Sequence, residues 1–347
     1  MSEQNVSVTA YFRRHSAYFK ISLIFLSVAV PLAILYSLYA PSFDKTFNGR
    51  AYYLFFIWLL VLEFALDWDK YKSETLKMSV KRVVIFGLAL VLPTVYVVAA
   101  NFFGLNATIS ELTRLSGIIS PTLGDYAARL NFTPLATEFL VFAVLFAVII
   151  LCAYKLKGLK DFSLPIVLLG IVGATSMINL LSPTFLPFQI LVPTTAQLSA
   201  NVLNFMGYQT VLYPDTKDLM PALIVRDPAA GTSWMAQIAW PCAGVESLLL
   251  YTVIMLLFLK KSNIPRLHKI IYFIVGAAVT YFINILRIVT IFLIGLNGSE
   301  AEVWTFHDYY GQFYSAAWIM LYPLIIIGSQ IFWSKYKGAI VKLIVED

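Results

Sequence analysis

The chain has 347 residues, of which 60% are hydrophobic and only 13% charged, whereas a soluble domain carries about 25% charge. Mean hydropathy is +0.79, so the composition excludes an ordinary soluble domain and indicates an integral membrane protein. The formal charge of +6 is dispersed along the chain, which argues against a nucleic-acid surface, and two distant cysteines supply neither a disulfide framework nor metal-ligand spacing.

The first apolar run covers 20–40 and is too long for a secretory leader, with no cleavage site after it. Seven more follow at 51–67, 82–100, 136–154, 163–182, 244–259, 269–295 and 315–333. Each lies near the ~20 residues that cross ~30 Å of hydrocarbon. The seventh is longer and is expected to project into the outer aqueous layer. Only helices satisfy their own backbone in lipid. The expected fold class is therefore an all-α polytopic membrane protein of about eight transmembrane helices, with a small extracytoplasmic β-containing loop.

Lysine and arginine set the orientation. With the N-terminus inside, eighteen cations fall on inner segments and six on outer ones, with Arg287 inside the seventh span. Both termini are expected in the cytoplasm. The outer loops are then 101–135 and 183–243, and the sequons at Asn106, Asn131 and Asn297 also lie outside. Three regions result: a five-span region over 1–182, an extracytoplasmic loop over 183–243 and a three-span region over 244–347.

The loop 183–243 carries its own pattern. TTAQLSANVLNFMG, 194–207, has apolar residues at helical spacing and reads as an amphipathic helix at the outer interface. The segments after it read as short strands with turns at Pro214-Asp215 and Ala230-Gly231.

This β-element runs into WPCAGVES, 240–247. Pro241 suits the start of a helix. The free N–H groups of that first turn would favour a thiolate at Cys242. Gly244 would let another chain approach closely. Taken alone, Cys242 equally suits a small hydrophobe at a membrane edge. Arg287 stands in TYFINILRIVTIF, 18 residues beyond Lys269. At 1.5 Å per residue it has climbed about 27 Å, to the outer boundary. A charge at such a site marks function or a side chain snorkelling to headgroups. Asn284, three residues earlier, shares its helical face. His307 lies in WTFHDYYGQFY before the last span, and is the one histidine of three expected outside.

Charge alone thus places Cys242, Arg287 and His307 at one membrane face. Together they supply a nucleophile for a carbonyl carbon, a permanent cation for the developing oxyanion and a proton carrier. Whether His307 acts as acid, base or orienter stays open. Asp308 and Glu246 stand where they could orient His307 or Arg287, or act as a helix cap and an interfacial charge. Both stay outside the assigned set.

These segments resemble the exosortase/archaeosortase family of membrane transpeptidases. The family's Cys-(Ser/Ala)-Gly motif has its counterpart in Cys242-Ala243-Gly244. Its Asn-x-x-Arg is matched by Asn284-Ile-Leu-Arg287, and its histidine segment by His307-Asp308-Tyr-Tyr-Gly311. The likeness covers about 200–333, and PCAGVES with the long outer loop looks closer to the archaeal branch. The resemblance implies Cys242, Arg287 and His307 as catalytic residues, with Asn284 and Gly244 in support. It implies cleavage of exported proteins at a C-terminal motif that precedes a hydrophobic span and a basic tail. The new C-terminus would pass to a cell-envelope acceptor, a lipid. It implies no metal and no organic cofactor, a multi-pass plasma-membrane location and an active site on the extracytoplasmic face. Another reading is a multi-span transporter binding an anion at Arg287 and Asn284, although repeated halves and paired broken helices are absent. A lipid-modifying enzyme would want clustered outer acidic residues, and Asp215, Asp218 and Asp227 are scattered.

Overall fold

The computed structural model describes residues 3–45, 48–66, 71, 79–119, 126–181, 186–213, 220–311 and 313–345. They form two compact units, Met1–Ser182 and Pro183–Asp347. Each of the eight expected spans falls on a helix, so the fold is all-α with one small sheet. Among the described residues six helical runs are long and apolar enough to cross a membrane. The other two are short: α2, Tyr52–Leu66, has 15 residues and α8, Val245–Lys261, has 17. At 1.5 Å per residue they reach about 23 and 26 Å. The count of eight is therefore approximate.

In the first unit, α1 is Glu3–Tyr39, α3 Val80–Phe102, α4 Leu105–Ser116, α5 Tyr126–Asp161 and α6 Ser163–Leu181. α5 packs along α6, α3 on α1 and α5, and α2 on α6. Gly173 allows the α5–α6 contact, because a Cβ there would press on Leu140. The packing hides a charge that hydropathy passes over. Glu138 on α5 is buried and accepts two bonds from Arg50, from Nε at 2.9 Å and Nη2 at 2.8 Å. Tyr53 adds a third at 3.2 Å. A buried carboxylate persists only when so paired.

In the second unit, a one-turn helix at Leu186–Gln189 leads into α7, Val192–Phe205. The helix expected at 194–207 is thus present. Its buried face carries Val192 and Leu203 at the ends and the small side chains of Thr195, Ala196, Ser199 and Ala200 between them, and it packs on α9, Arg266–Asn297. Three antiparallel strands follow, β1 Gln209–Tyr213, β2 Ala222–Arg226 and β3 Ser233–Gln237, in the order β1-β2-β3. The β2–β3 turn has Gly231 at φ +71°, and the Asp227 carboxylate accepts the N–H groups of Ala229 and Ala230. The turn expected at Pro214-Asp215 lies outside the described residues. Gly295 on α9 receives the Trp234 ring of β3, which seats the sheet on the far end of that helix.

α9 is the pillar of this unit. Its 32 residues extend about 48 Å, well beyond the hydrocarbon thickness, as expected for the seventh span. α8 and α11, Phe313–Val345, pack against it. The Tyr251 and Tyr322 hydroxyls donate to the carbonyls of Phe273 and Tyr272, and Gly276 leaves room for both rings. Between α9 and α11 lie a short helix, α10 Glu300–Thr305, and a π-turn, Phe306–Tyr310. A capping box starts α10: the Ser299 hydroxyl accepts the Glu302 N–H, and Glu302 accepts the Ser299 N–H.

Candidate active site

The turn that carries Cys242 forms before α8 begins. Helical residues start at Val245, and Gly244 is the N-cap at φ +90°. Cys242 therefore stands outside the first turn. Its own N–H and that of Ala243 are already bonded to the Ala239 carbonyl, at 3.0 and 3.1 Å. These two donors are therefore engaged within the turn and are not available to a thiolate. Gly244 is needed twice over. Its φ lies in the left-handed region, and a Cβ there would come within 3.0 Å of Asn284 Nδ2.

Cys242, His307, Arg287 and Asn284 come together. Cys242 Sγ lies 3.3 Å from His307 Nε2. The other imidazole nitrogen, Nδ1, is 3.1 Å from Asp308 Oδ1. Nδ1 must carry a proton to bond a carboxylate, which leaves Nε2 to exchange a proton with the thiol. His307 reaches this position from the π-turn, where the Gly311 N–H bonds the Phe306 carbonyl at 2.6 Å. Single π-turns recur at functional sites. The Trp304 ring meets the imidazole edge-on at 5.6 Å.

Arg287 is buried to 2% exposure, so the headgroup-anchor alternative fails, because a snorkelling guanidinium keeps its head in water. Nη1 is 3.5 Å from Asn284 Oδ1. Nε and Nη2 have no hydrogen-bond partner among the described residues. Orphaned donors on a buried cation are costly, and an incoming anionic oxygen would satisfy them. Gly311 faces this cation, since a Cβ there would approach Nε to 2.8 Å. Asn284 does more than steady the guanidinium. Its Nδ2 donates to the Cys242 carbonyl at 2.9 Å. On α7, the Thr195 hydroxyl lies 2.9 Å from the next carbonyl, that of Ala243, and from the Leu191 carbonyl of its own helix, and 2.8 Å from the Tyr281 hydroxyl of α9. Two side chains thus hold two successive carbonyls of the cysteine turn.

The electrostatics agree with this geometry. Burial pushes the Cys242 thiol up, but the charge and hydrogen bond of His307, then the charge of Arg287, outweigh it and hold the thiol below its ordinary range. Burial lowers the His307 imidazole, while the Cys242 charge and the bonds to Asp308 and Cys242 raise it to about 9. Both shifts favour a thiolate–imidazolium pair. The pair exists above the depressed thiol value and below the raised imidazole value. Cys242 alkylation by iodoacetamide, in a Cys152→Ala background, should stay fast at pH 7 and fall as acid protonates the thiolate. In His307→Ala the acid limb should move up toward the ordinary thiol value of about 8.5, and alkylation at pH 7 should fall about tenfold or more. An unmoved limb would remove His307 as the partner of the thiol.

The sequence left Asp308 outside the assigned set, and the structure makes it the bond partner of His307. Thr195 and Tyr281 were missed, and Gly311 stood in the histidine segment without an assigned role. Tyr281 had a signal: it precedes Asn284 by three residues on the same face of α9. Thr195 had none, because it reaches the site from a separate helix. Among the described residues no group of three His, Cys, Asp or Glu side chains converges to hold a metal ion.

A family model described as transmembrane exosortase (Exosortase_EpsH) matches residues 45–323. That is well over half of the chain, and it extends the likeness beyond 200–333 into the first unit. No curated protein and no solved structure gives a significant match.

Proposed function

The chain belongs to the transmembrane exosortase family, and from that premise we propose that it cuts the C-terminal sorting tails of exported proteins through Cys242 and transfers the new C-terminus to an envelope lipid. The observation that carries this reading is the Cys242–His307 contact of 3.3 Å beside a buried arginine with two unpartnered nitrogens. An anion transporter would account for Arg287, but it has no use for a thiol paired with an imidazole.

The steps follow from the chemistry of these groups. The Cys242 thiolate attacks the scissile carbonyl carbon and a C–S bond forms. The electron pair of the C=O bond moves to oxygen, and Arg287 Nε and Nη2 donate to that oxyanion. The oxyanion collapses, the C–N bond breaks, and the leaving amine takes the proton from His307 Nε2. The tail departs and an acyl thioester remains. A hydroxyl or amine of the acceptor lipid then attacks the thioester, neutral His307 accepts its proton, and Cys242 leaves as thiolate. Asp308 holds the imidazole in the required tautomer throughout, while Asn284 and Thr195 fix the turn that aims Sγ.

The site is placed at the extracytoplasmic face with both termini inside, on the strength of the eighteen-to-six cation bias. A substrate tail with a basic end would insert with the same polarity, and its motif would emerge at the depth of Cys242. The experiment compares the C-termini of membrane proteins in cells with and without this chain. Precursors retaining a motif, a span and a basic tail should accumulate when it is absent. Identical C-termini in both cells would overturn the proposal.

A further inference from the structure

The sheet in front of the nucleophile has an open side. In the β2–β3 ladder the Ile238 N–H bonds the Pro221 carbonyl, and the Asp227 N–H bonds the Thr232 carbonyl. With the register Ala222↔Gln237 to Arg226↔Ser233, the even-numbered residues of β3 turn their backbone groups toward β2. The N–H and C=O groups of Ser233 and Met235 therefore point the other way. On that side β3 has no strand neighbour among the described residues. Met235 is 62% exposed and ends a cross-strand row, Val211–Ile224–Met235, on the face away from the buried Leu223 and Val225.

We propose that the open edge of β3 binds the extended sorting motif of the substrate as a fourth strand and delivers its scissile bond to Cys242. This rests on the sorting function proposed above. Three observations single out this edge and this occupant. β3 leads directly into the site: its last ladder bond is at Ile238, and the cysteine turn begins at Ala239. The other edge of the sheet, on β1, lies two strand spacings away, about 10 Å. Trp234 of β3 is seated on Gly295 of α9, the same helix that carries Asn284 and Arg287, so edge and site share one rigid support. A peptide cut at a defined bond must be held extended. Strand addition does so through backbone bonds, leaving side-chain identity to alternate positions. On the outer face the substrate residue beside Met235 joins an apolar row, which favours an apolar or β-branched residue there.

The probe is the precursor that accumulates in cells lacking this chain. Met235→Pro removes one edge N–H that does not bond β2, a substitution that edge strands tolerate. Leu212→Pro does the same on the β1 edge and serves as the control. Met235→Pro should lower processing at sub-saturating precursor about tenfold through weaker binding, with the alkylation rate of Cys242 unchanged. Leu212→Pro should process normally. A second measurement does not depend on how the proline variant folds. Ser233→Cys, in a Cys152→Ala, Cys242→Ala background, should form disulfides with cysteines scanned through the precursor motif, with yields that alternate every second position. Normal processing by Met235→Pro, equal losses in both proline variants, or a scan without alternation would each overturn strand addition, and sorting by Cys242 would stand. If no precursor accumulates in cells lacking the chain, both proposals fall together.

Discussion

Cys242→Ala and Cys242→Ser should each remain inserted in the membrane and process no precursor. The alanine change removes one sulfur from a part-exposed residue in a turn whose shape is set by bonds that do not involve the side chain. The Ala239, Asn284 and Thr195 contacts all reach backbone atoms of residues 242 and 243. The stability cost is therefore that of a small packing change. The chemical cost is total, because Cys242 is the thiol that His307 pairs with. Serine tests whether geometry alone is enough. It places a hydroxyl where the thiolate was, but His307 and Arg287 are arranged to hold a group that is already ionised, and a hydroxyl is not. Uncleaved-to-cleaved precursor ratios at matched membrane levels give the answer. Turnover by the alanine variant would remove the thiol from the mechanism.

The fold was legible because lipid allows few solutions. Apolar length and the demand for internal hydrogen bonds fixed where the helices lie, and all eight expected spans are helical. The small sheet was legible from short β-rich runs and from the Ala230-Gly231 turn. Buried polar partners were not legible. Glu138 sits in an apolar run and looks tolerable in an average, but its burial depends on Arg50, 88 residues earlier in sequence. The site shows the same division. Cys242, Arg287 and His307 stand out as chemically unusual residues in an apolar background, and the structure gathers them. What the sequence misjudged is local backbone. Pro241 suggested a helix start, but glycine at a positive φ moved that start to Val245, three residues beyond Cys242. Thr195 was hidden for a different reason. A threonine that bonds a carbonyl 48 residues away has the same local pattern as one facing solvent.

Arg287→Lys should keep the thiolate and lose the reaction. Lysine retains the positive charge, so the electrostatic pull on Cys242 persists and its alkylation at pH 7 should stay near wild type. What lysine cannot reproduce is the planar pair of adjacent donors, Nε and Nη2, that now lack partners. Loss of one oxyanion donor costs about a hundredfold or more in rate, so precursor processing should fall at least about a hundredfold while binding of the tail persists. Gly311→Ala probes the same cation from the other side. Its methyl would reach within 2.8 Å of Arg287 Nε and must displace the guanidinium or block the oxygen it receives. That variant should also slow processing with the Cys242 alkylation rate held. The paired readout separates the two roles an arginine can play here. Equal losses of alkylation and processing in the lysine variant would make Arg287 a support for the thiolate alone. Wild-type processing would show that the unpartnered nitrogens have no part in the chemistry, and Cys242 and His307 would need another group to bind the oxyanion.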